Sequence, residues 1–153
     1  MIELSKYIIF QLKEQSYGVG VQQVLSIEKM TEITEIPKAS HFIKGVINFQ
    51  GEVTPVIDLK ERLELGHTTY TDSTRLLIVN IDGIKLGLVV DAANDVIDID
   101  PTAVEQAPRL TGKIDDSFLK GVAKLENELL LLLDLNYVLN IEELNEVKEV
   151  TNI

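Results

Sequence analysis

Two segments of the chain repeat each other without a gap. Residues 42–65 read FIKGVINFQGEVTPVIDLKERLEL, and residues 118–141 read FLKGVAKLENELLLLLDLNYVLNI. Eight of the 24 positions are identical, where background residue usage would give roughly one or two. The repeat predicts two related β lobes in tandem, each ending in a hairpin and a helical turn capped by aspartate. Chance similarity between two amphipathic hairpins is the alternative.

A second, weaker match lies upstream of each copy. Residues 18–21 (GVGV) correspond to residues 87–90 (GLVV), and at the same offset Ile27 falls on Val96. A lobe of this size buries only a modest core on its own. We therefore expect the two lobes to pack against each other and to leave a groove between them.

The composition favours strands over helices. The chain contains 17 Ile and 15 Val against 6 Ala, and β-branched side chains fit a pleated sheet well. The apolar runs are short, and Asp82-Gly83 between two of them is a strong signal for a two-residue hairpin. This pattern is typical of small closed sheets or barrels. The predicted strands are Tyr7–Leu12, Tyr17–Val21, Leu25–Met30, Gly45–Phe49, Glu52–Ile57, Leu76–Ile81, Lys85–Val90, Val96–Ile99, Leu119–Leu125 and Glu128–Leu133.

Helix signals are few. Asp58 can cap a short helix over Leu59–Leu65, and Asp134 can do the same for Leu135–Leu139. The stretch Ile141–Val150 has helical periodicity, and we expect it to dock loosely. Its apolar face comprises Ile141, Leu144, Val147 and Val150.

Charge and residue usage exclude several classes of function. The chain has 14 Lys and Arg against 25 Asp and Glu, a formal net charge of −11, which argues against a nucleic-acid partner and a polybasic membrane anchor. The absence of cysteine excludes disulfides and thiolate chemistry. The N-terminus lacks a signal-peptide pattern, and the longest apolar run, Leu129–Leu133, is far shorter than the ~20 residues that span a bilayer. We expect a cytoplasmic protein with no direct membrane insertion.

No arrangement of residues indicates catalysis. His41 and His67 stand in polar or turn-like stretches without a second ligand at metal-binding spacing. No serine lies in a Gly-x-Ser-x-Gly elbow, and Asp58 and Asp134 are more typical of helix caps than of acids or bases. We predict a protein that is not an enzyme and that holds no metal and no cofactor. An enzyme with an unrecognised carboxylate site is the alternative.

Residues 42–63 contain the long phrase GVINFQGEVTPVIDL. It is accompanied by YIIFQLKEQSYGVGVQQVLSIEKM near the start of the chain and by LGLVVDAANDVIDI in the middle. In these motifs the sequence resembles the CheW family of chemotaxis coupling proteins, in order from about Lys6 to Ile141.

The resemblance implies a mainly β fold of two tandem five-stranded SH3-like β-barrel lobes, with short capping helices and a C-terminal helix. The first lobe would cover residues 5–68 and the second residues 69–141, with approximate boundaries and with strands that could be exchanged between lobes. Residues 142–153 would form an acidic C-terminal helix or tail. Together they would make a single CheW-like domain over residues 1–153.

The resemblance also implies a function. The chain would be a non-enzymatic adaptor that couples the cytoplasmic tips of methyl-accepting chemoreceptors to the regulatory domain of the chemotaxis histidine kinase. It would be cytoplasmic and recruited to membrane-bound receptor arrays. A barrel edge can pair with a similar barrel on a partner, and a helical receptor tip can dock in a groove. The alternative is a small ligand-binding β-barrel protein that uses the inter-lobe groove, which would require convergent polar groups there.

Eight positions match the family's receptor-facing groove. Two depart from the family pattern, because Ser26 stands where glutamate is common and Gln50 stands where the phrase NLRG has arginine. The joint loss of both charges suggests that these two side chains are neighbours. Plain core packing is the alternative for Val24, Ile27 and Val96. The full set is Val24, Ser26, Ile27, Gly45, Gln50, Gly87, Ala93 and Val96.

A second contact loop of the family, toward the kinase, matches the stretch VEQAPRL. Its implied kinase-binding residues are Glu105, Arg109 and Leu110. Their charges are reversed from those of some relatives, so a compensating change on the kinase is expected. An ordinary solvated loop is the alternative.

Overall fold

The computed structural model describes residues 4–106 and 118–151. All ten predicted strands are present, and a two-residue strand that was not predicted joins them. The strands are β1 (Ser5–Leu12), β2 (Gln15–Gly20), β3 (Val24–Lys29), β4 (Ile43–Phe49), β5 (Glu52–Asp58), β6 (Arg75–Ile81), β7 (Ile84–Val90), β8 (Ala92–Ile99), β9 (Val104–Glu105), β10 (Leu119–Lys124) and β11 (Leu129–Leu133). The α-helices are α1 (Leu59–Arg62) and α2 (Ile141–Thr151).

The strands form two sheets that divide the chain in an interleaved way. One sheet has five strands in the order β3-β6-β7-β5-β4, and the other has six in the order β8-β1-β2-β11-β10-β9. The first hairpin of the chain, β1–β2, thus lies in the same sheet as the last strands, β10 and β11. The predicted boundary between residues 68 and 69 falls between β5 and β6, which belong to the same sheet.

The two halves of the repeat occupy equivalent places in the two sheets. Antiparallel hairpin β4–β5 corresponds to β10–β11, and each hairpin then pairs in parallel with a strand from the upstream match. Val56 faces Gly87 in one sheet, and Leu132 faces Gly18 in the other. These four positions are the ones that the sequence repeat aligns. The repeat is therefore structural, and each repeat unit gives its first hairpin to the sheet of the other.

The glycine of FxKGV has the same task in both lobes. The strand register shifts between Ile43 and Gly45 in β4, and again before Gly121 in β10. A Cβ on Gly45 would lie 2.0 Å from the carbonyl oxygen of Thr34, and one on Gly121 would lie 2.8 Å from Val104. Glycine at this position lets a neighbouring segment approach the strand closely.

The two lobes share their largest core. Strand β1 alternates, so that Ile8 and Phe10 face a cluster shared with the other sheet, while Tyr7 and Ile9 face the smaller core of their own lobe. Strand β6 shows the same division, with Leu77 in the shared cluster. Period-2 alternation thus gives each sheet two apolar faces, one of which packs against the other lobe. The prediction that the lobes pack against each other is confirmed.

The helical turns follow the aspartate caps. The carboxylate of Asp58 accepts from the backbone N–H groups of Lys60 and Glu61 at 3.0 and 3.4 Å. That of Asp134 accepts from the N–H of Asn136 at 3.0 Å. Both turns are shorter than predicted, because α1 ends at Arg62 and the second is a single 3₁₀ turn.

The expectation of a loosely docked C-terminal helix is wrong. Val147 of α2 is fully buried in the shared core. Two carboxylates of the helix bind the five-stranded lobe: Glu146 accepts from the backbone N–H and hydroxyl of Ser40 at 2.8 and 2.6 Å, and Glu143 pairs with Arg62 at 2.9 Å. The helix therefore leaves one lobe and packs on the other.

Candidate interaction surfaces

The predicted groove residues concentrate on strands β3 and β8. Each lies at the end of its sheet's strand order among the described strands. The repeat relates them position by position: Val24 pairs with Val79 on β6 as Ala93 pairs with Phe10 on β1, and Ile27 and Val96 stand three residues further along. The fold thus presents two equivalent outer strands, one from each lobe.

These strands expose apolar side chains. Ile27 is 39% exposed and Val96 is 53% exposed, so core packing does not explain either residue. Val24 and Ala93 are half-buried and pack against the shared core. Exposed apolar residues grouped on one element are typical of interaction sites.

Leu25 adds to this surface and was not predicted. It is 53% exposed, and the strand register shifts between Val24 and Ser26, so Leu25 is the extra residue of a β-bulge. A bulge turns one side chain out of the alternation. Simple alternation of apolar and polar residues could not have identified it.

The two groove glycines have structural roles. Gly45 adopts a φ of +142° and lies against the Thr34 carbonyl. A side chain at Gly87 would contact Ile78, Leu76 and Val56 at 3.5 to 3.7 Å, which are core residues of its own lobe. Gly87 therefore shapes the interior below the outer strands.

No direct interaction joins Ser26 and Gln50 among the hydrogen bonds and ion pairs of the described residues. The Ser26 hydroxyl donates to the Glu28 carboxylate at 2.6 Å. Gln50 is exposed in the β4–β5 turn with a φ of +51°. Strands β3 and β4 lie at opposite ends of the strand order, so backbone pairing does not bring the two residues together.

Of the predicted kinase-contact residues, the structure describes one. Glu105 lies on β9 opposite Val122, and its carboxylate forms an exposed ion pair with Lys124 at 2.9 Å. The hydrogen bond to Glu105 raises the pKa of the Lys124 ammonium. Arg109 and Leu110 lie outside the described residues.

The described residues contain no group of three or more His, Cys, Asp or Glu side chains placed to hold a metal ion. His41 contacts the ring of Phe42 edge-on. None of the helices in this part of the chain has the length and apolar character needed to cross a bilayer. Surface cavities of about 310, 330 and 610 Å³ in the described part are lined by residues other than the eight predicted for the groove.

Comparisons with known proteins agree with this architecture. The model of the CheW-like domain family matches residues 6–143. The chain is 42% identical over 137 residues to the chemotaxis protein CheW of Bacillus subtilis, covering 90% of this chain and 88% of that protein. It is 29% identical to the chemotaxis protein CheW of Klebsiella aerogenes, with 95% and 87% covered.

A solved structure shares the fold. The crystal structure of the scaffolding protein TtCheW from Thermoanaerobacter tengcongensis superimposes with a TM-score of 0.83 at 36% identity, covering 92% of this chain and 96% of that one. The family match, the relatives named CheW and the shared two-lobed β fold place the chain among the non-enzymatic scaffolding proteins of chemotaxis. The chain belongs to the CheW-like family.

Proposed function

We propose that the chain couples the cytoplasmic tips of methyl-accepting chemoreceptors to the regulatory domain of the chemotaxis histidine kinase. The observation that carries this proposal is the pair of equivalent outer strands, each with an exposed apolar residue at the same repeat position, Ile27 and Val96. Each strand would offer an apolar contact, one from each lobe. A helical hairpin such as a receptor tip can dock on a surface of this kind.

The receptor contact would use the residues predicted for the groove, with Leu25 added. Ile27 and Val96 would supply apolar area, and Ser26 and Gln50 would supply neutral hydrogen-bonding groups. Because this pair carries no charge, receptor binding through it should depend only weakly on salt. Gly45 and Gly87 would act indirectly, by fixing the packing beneath.

The kinase contact would use the separate stretch around β9. Glu105 is exposed and belongs to the edge of the six-stranded sheet, where a partner barrel could pair with it. Arg109 and Leu110 enter the proposal through the family resemblance alone. Use of two different surfaces would let one molecule hold both partners, as an adaptor must, at cytoplasmic receptor arrays.

Binding of each partner to single variants tests this proposal. Val96→Asp should weaken binding of a receptor tip fragment about tenfold or more, since it puts a charge into a desolvated apolar contact. The matched control is Leu129→Asp, because Leu129 has nearly the same exposure, 52% against 53%, but lies on β11. Equal effects of the two variants on receptor affinity would refute the proposed receptor surface.

The kinase arm uses Leu110→Asp. It should weaken binding of the regulatory domain by about 2 kcal/mol, because an aspartate would enter a contact that excludes water. Receptor binding should stay unchanged in this variant. Unchanged kinase affinity, with an intact circular-dichroism spectrum, would mean that the VEQAPRL stretch is ordinary surface.

A further inference from the structure

A polar pocket of about 310 Å³ lies where β2 ends, next to the helical turn after β11. Its polar side chains are Gln22, Gln23, Lys120, Asp134 and Asn136. Lys120 is the lysine of the second FxKGV motif, and its Nζ lies 5.8 Å from the centroid of the Tyr7 ring. An ammonium group over the face of an aromatic ring is attracted to it, and Lys120 is exposed.

The repeat supplies an internal comparison. The five-stranded lobe has an equivalent corner, which is built by the residues that align with those of the pocket. There Lys44, the lysine of the first FxKGV, forms an ion pair with Glu61. A second ion pair joins Lys60 to Asp91 at 3.1 Å. Both lysines of this corner are thus neutralised within the chain.

In the five-stranded lobe two carboxylates, Glu61 and Asp91, pair with lysines. The pocket has a residue without a carboxylate at each of these two places. By the repeat alignment, Tyr137 stands in the place of Glu61, and Gln22 and Asn136 stand in the places of Asp91 and Lys60. Among the described residues, Lys120 has no carboxylate within ion-pair distance. Two internal ion pairs are therefore replaced by one ammonium group and a set of amides, beside the Asp134 carboxylate that caps the turn.

We propose that this pocket binds a carboxylate group. Its oxygens would accept hydrogen bonds from the Lys120 ammonium and from the side-chain amides of Gln22 and Asn136, in the position that Glu61 takes beside Lys44. Charge-assisted hydrogen bonds of this type are the strong ones. The nearby Asp134 and the net charge of −11 disfavour a dianion such as phosphate, so a single carboxylate fits best. The inference stands on the geometry of this corner and does not depend on the proposed coupling function.

The first test is a titration of the ¹⁵N-labelled chain with N-acetyl-glutamate amide. We expect saturable shifts of the backbone signals of Gln22, Lys120 and Asn136 at millimolar probe, the range of weak small-ligand binding. The neutral isostere N-acetyl-glutamine amide should give no such shifts. Equal shifts with the two probes, or none with either, would overturn the proposal.

Two variants locate the binding group. Lys120→Gln removes the ammonium, and Tyr137→Glu supplies the internal carboxylate that Glu61 supplies in the other lobe. Each should weaken probe binding about tenfold, the effect of losing one charge-assisted contact. Tyr137 is 58% exposed, so this change should not disturb folding. The matched control, Lys44→Gln, should leave binding unchanged; wild-type affinity in both test variants would overturn the proposal.

The source of the carboxylate is decided by competition. If the kinase regulatory domain or a receptor tip fragment displaces the probe, the natural ligand is an acidic side chain of that partner. If neither displaces it, the ligand is a free small carboxylate. Either result supports the site, and because the titration uses the chain alone, it can fail while both proposed partners still bind.

Discussion

Gly45 leaves room for the carbonyl oxygen of Thr34, and this close approach ties the loop before β4 to the strand. Thr34 and Val46 exchange two backbone hydrogen bonds of 2.9 Å across it. The repeat contains this glycine in both copies, and a shared glycine within an apolar motif indicates a position where the backbone leaves no room for a side chain. The oxygen that fills the space comes from a residue outside the repeated segment, so the sequence could not identify it.

Gly45→Ala should lower the free energy of unfolding by about 2–4 kcal/mol, because the new Cβ would collide with backbone and the φ of +142° strains an L-residue. Gly51→Ala is the control, since Gly51 also has a positive φ, +85°, but has no atom within 4 Å of its Cβ position. It should cost about 1 kcal/mol. Urea unfolding of both variants measures the difference, and equal losses would contradict the account.

Ser26 and Gln50 remain predicted neighbours at the receptor contact. Ser26→Glu would bring a second carboxylate close to Glu28, whose side chain accepts the Ser26 hydroxyl at 2.6 Å, so this single change should weaken receptor binding. Gln50→Arg in the same molecule should restore part of the loss, because opposite charges at one contact are coupled. The double-mutant cycle is measured as receptor affinity by calorimetry. Additive single effects would show that the two residues act at separate places.

The positions of the strands were predictable from the sequence, whereas their pairing within the sheets was predictable only in part. Short apolar runs and turn formers located ten strands, and the positive φ of Asp82 and Gly83 agrees with the hairpin predicted there. The residues alone do not show that the first hairpin of each repeat unit lies in the sheet of the other unit. The two hairpins are equivalent, and each sheet offers an equivalent edge for either of them. The strand β9 was missed, since two residues carry no periodicity.

Tertiary contacts determine which face of helix α2 packs on the lobe. The helical periodicity of its sequence does not determine this. The apolar face predicted for it included Ile141, which is 77% exposed, and Val147, which is fully buried. The carboxylates of Glu143 and Glu146 select the docked face by binding Arg62 and Ser40. Their partners lie about 80 to 106 residues away in the sequence, which no local pattern reveals.

Val147→Ala should destabilise the chain by about 1.5–3 kcal/mol, through lost apolar burial and the cavity left behind. Ile141→Ala, on the same predicted face, should change stability by no more than ~0.5 kcal/mol, as exposed substitutions do. Chemical denaturation of the two variants provides the test. Equal effects would mean that the helix is docked loosely, as its sequence suggested.

For the whole molecule, the shared core makes the two lobes one unit. Ile8, Phe10 and Leu12 of one sheet enclose the same cluster as Leu77, Val79 and Ile81 of the other. The repeat predicted this relation, since lobes so small need each other's apolar faces. The candidate site is less predictable than the core. The equivalence of the two outer strands follows from the repeat, whereas the exposure of Leu25 results from a bulge. The unpaired charge of Lys120 could not be predicted, because, within the described part of the chain, only the other lobe contains the internal ion pairs of this corner.

A shared core would suit the proposed adaptor, because the proposed receptor and kinase surfaces would then keep a fixed separation. The most direct measurement is co-sedimentation of the kinase regulatory domain with receptor tip assemblies, with and without this chain. We predict that the regulatory domain sediments only when the chain is present, and that Val96→Asp abolishes this recruitment while Leu129→Asp preserves it. Competition between the two partners for the chain, so that receptor tips release the regulatory domain, would contradict the account.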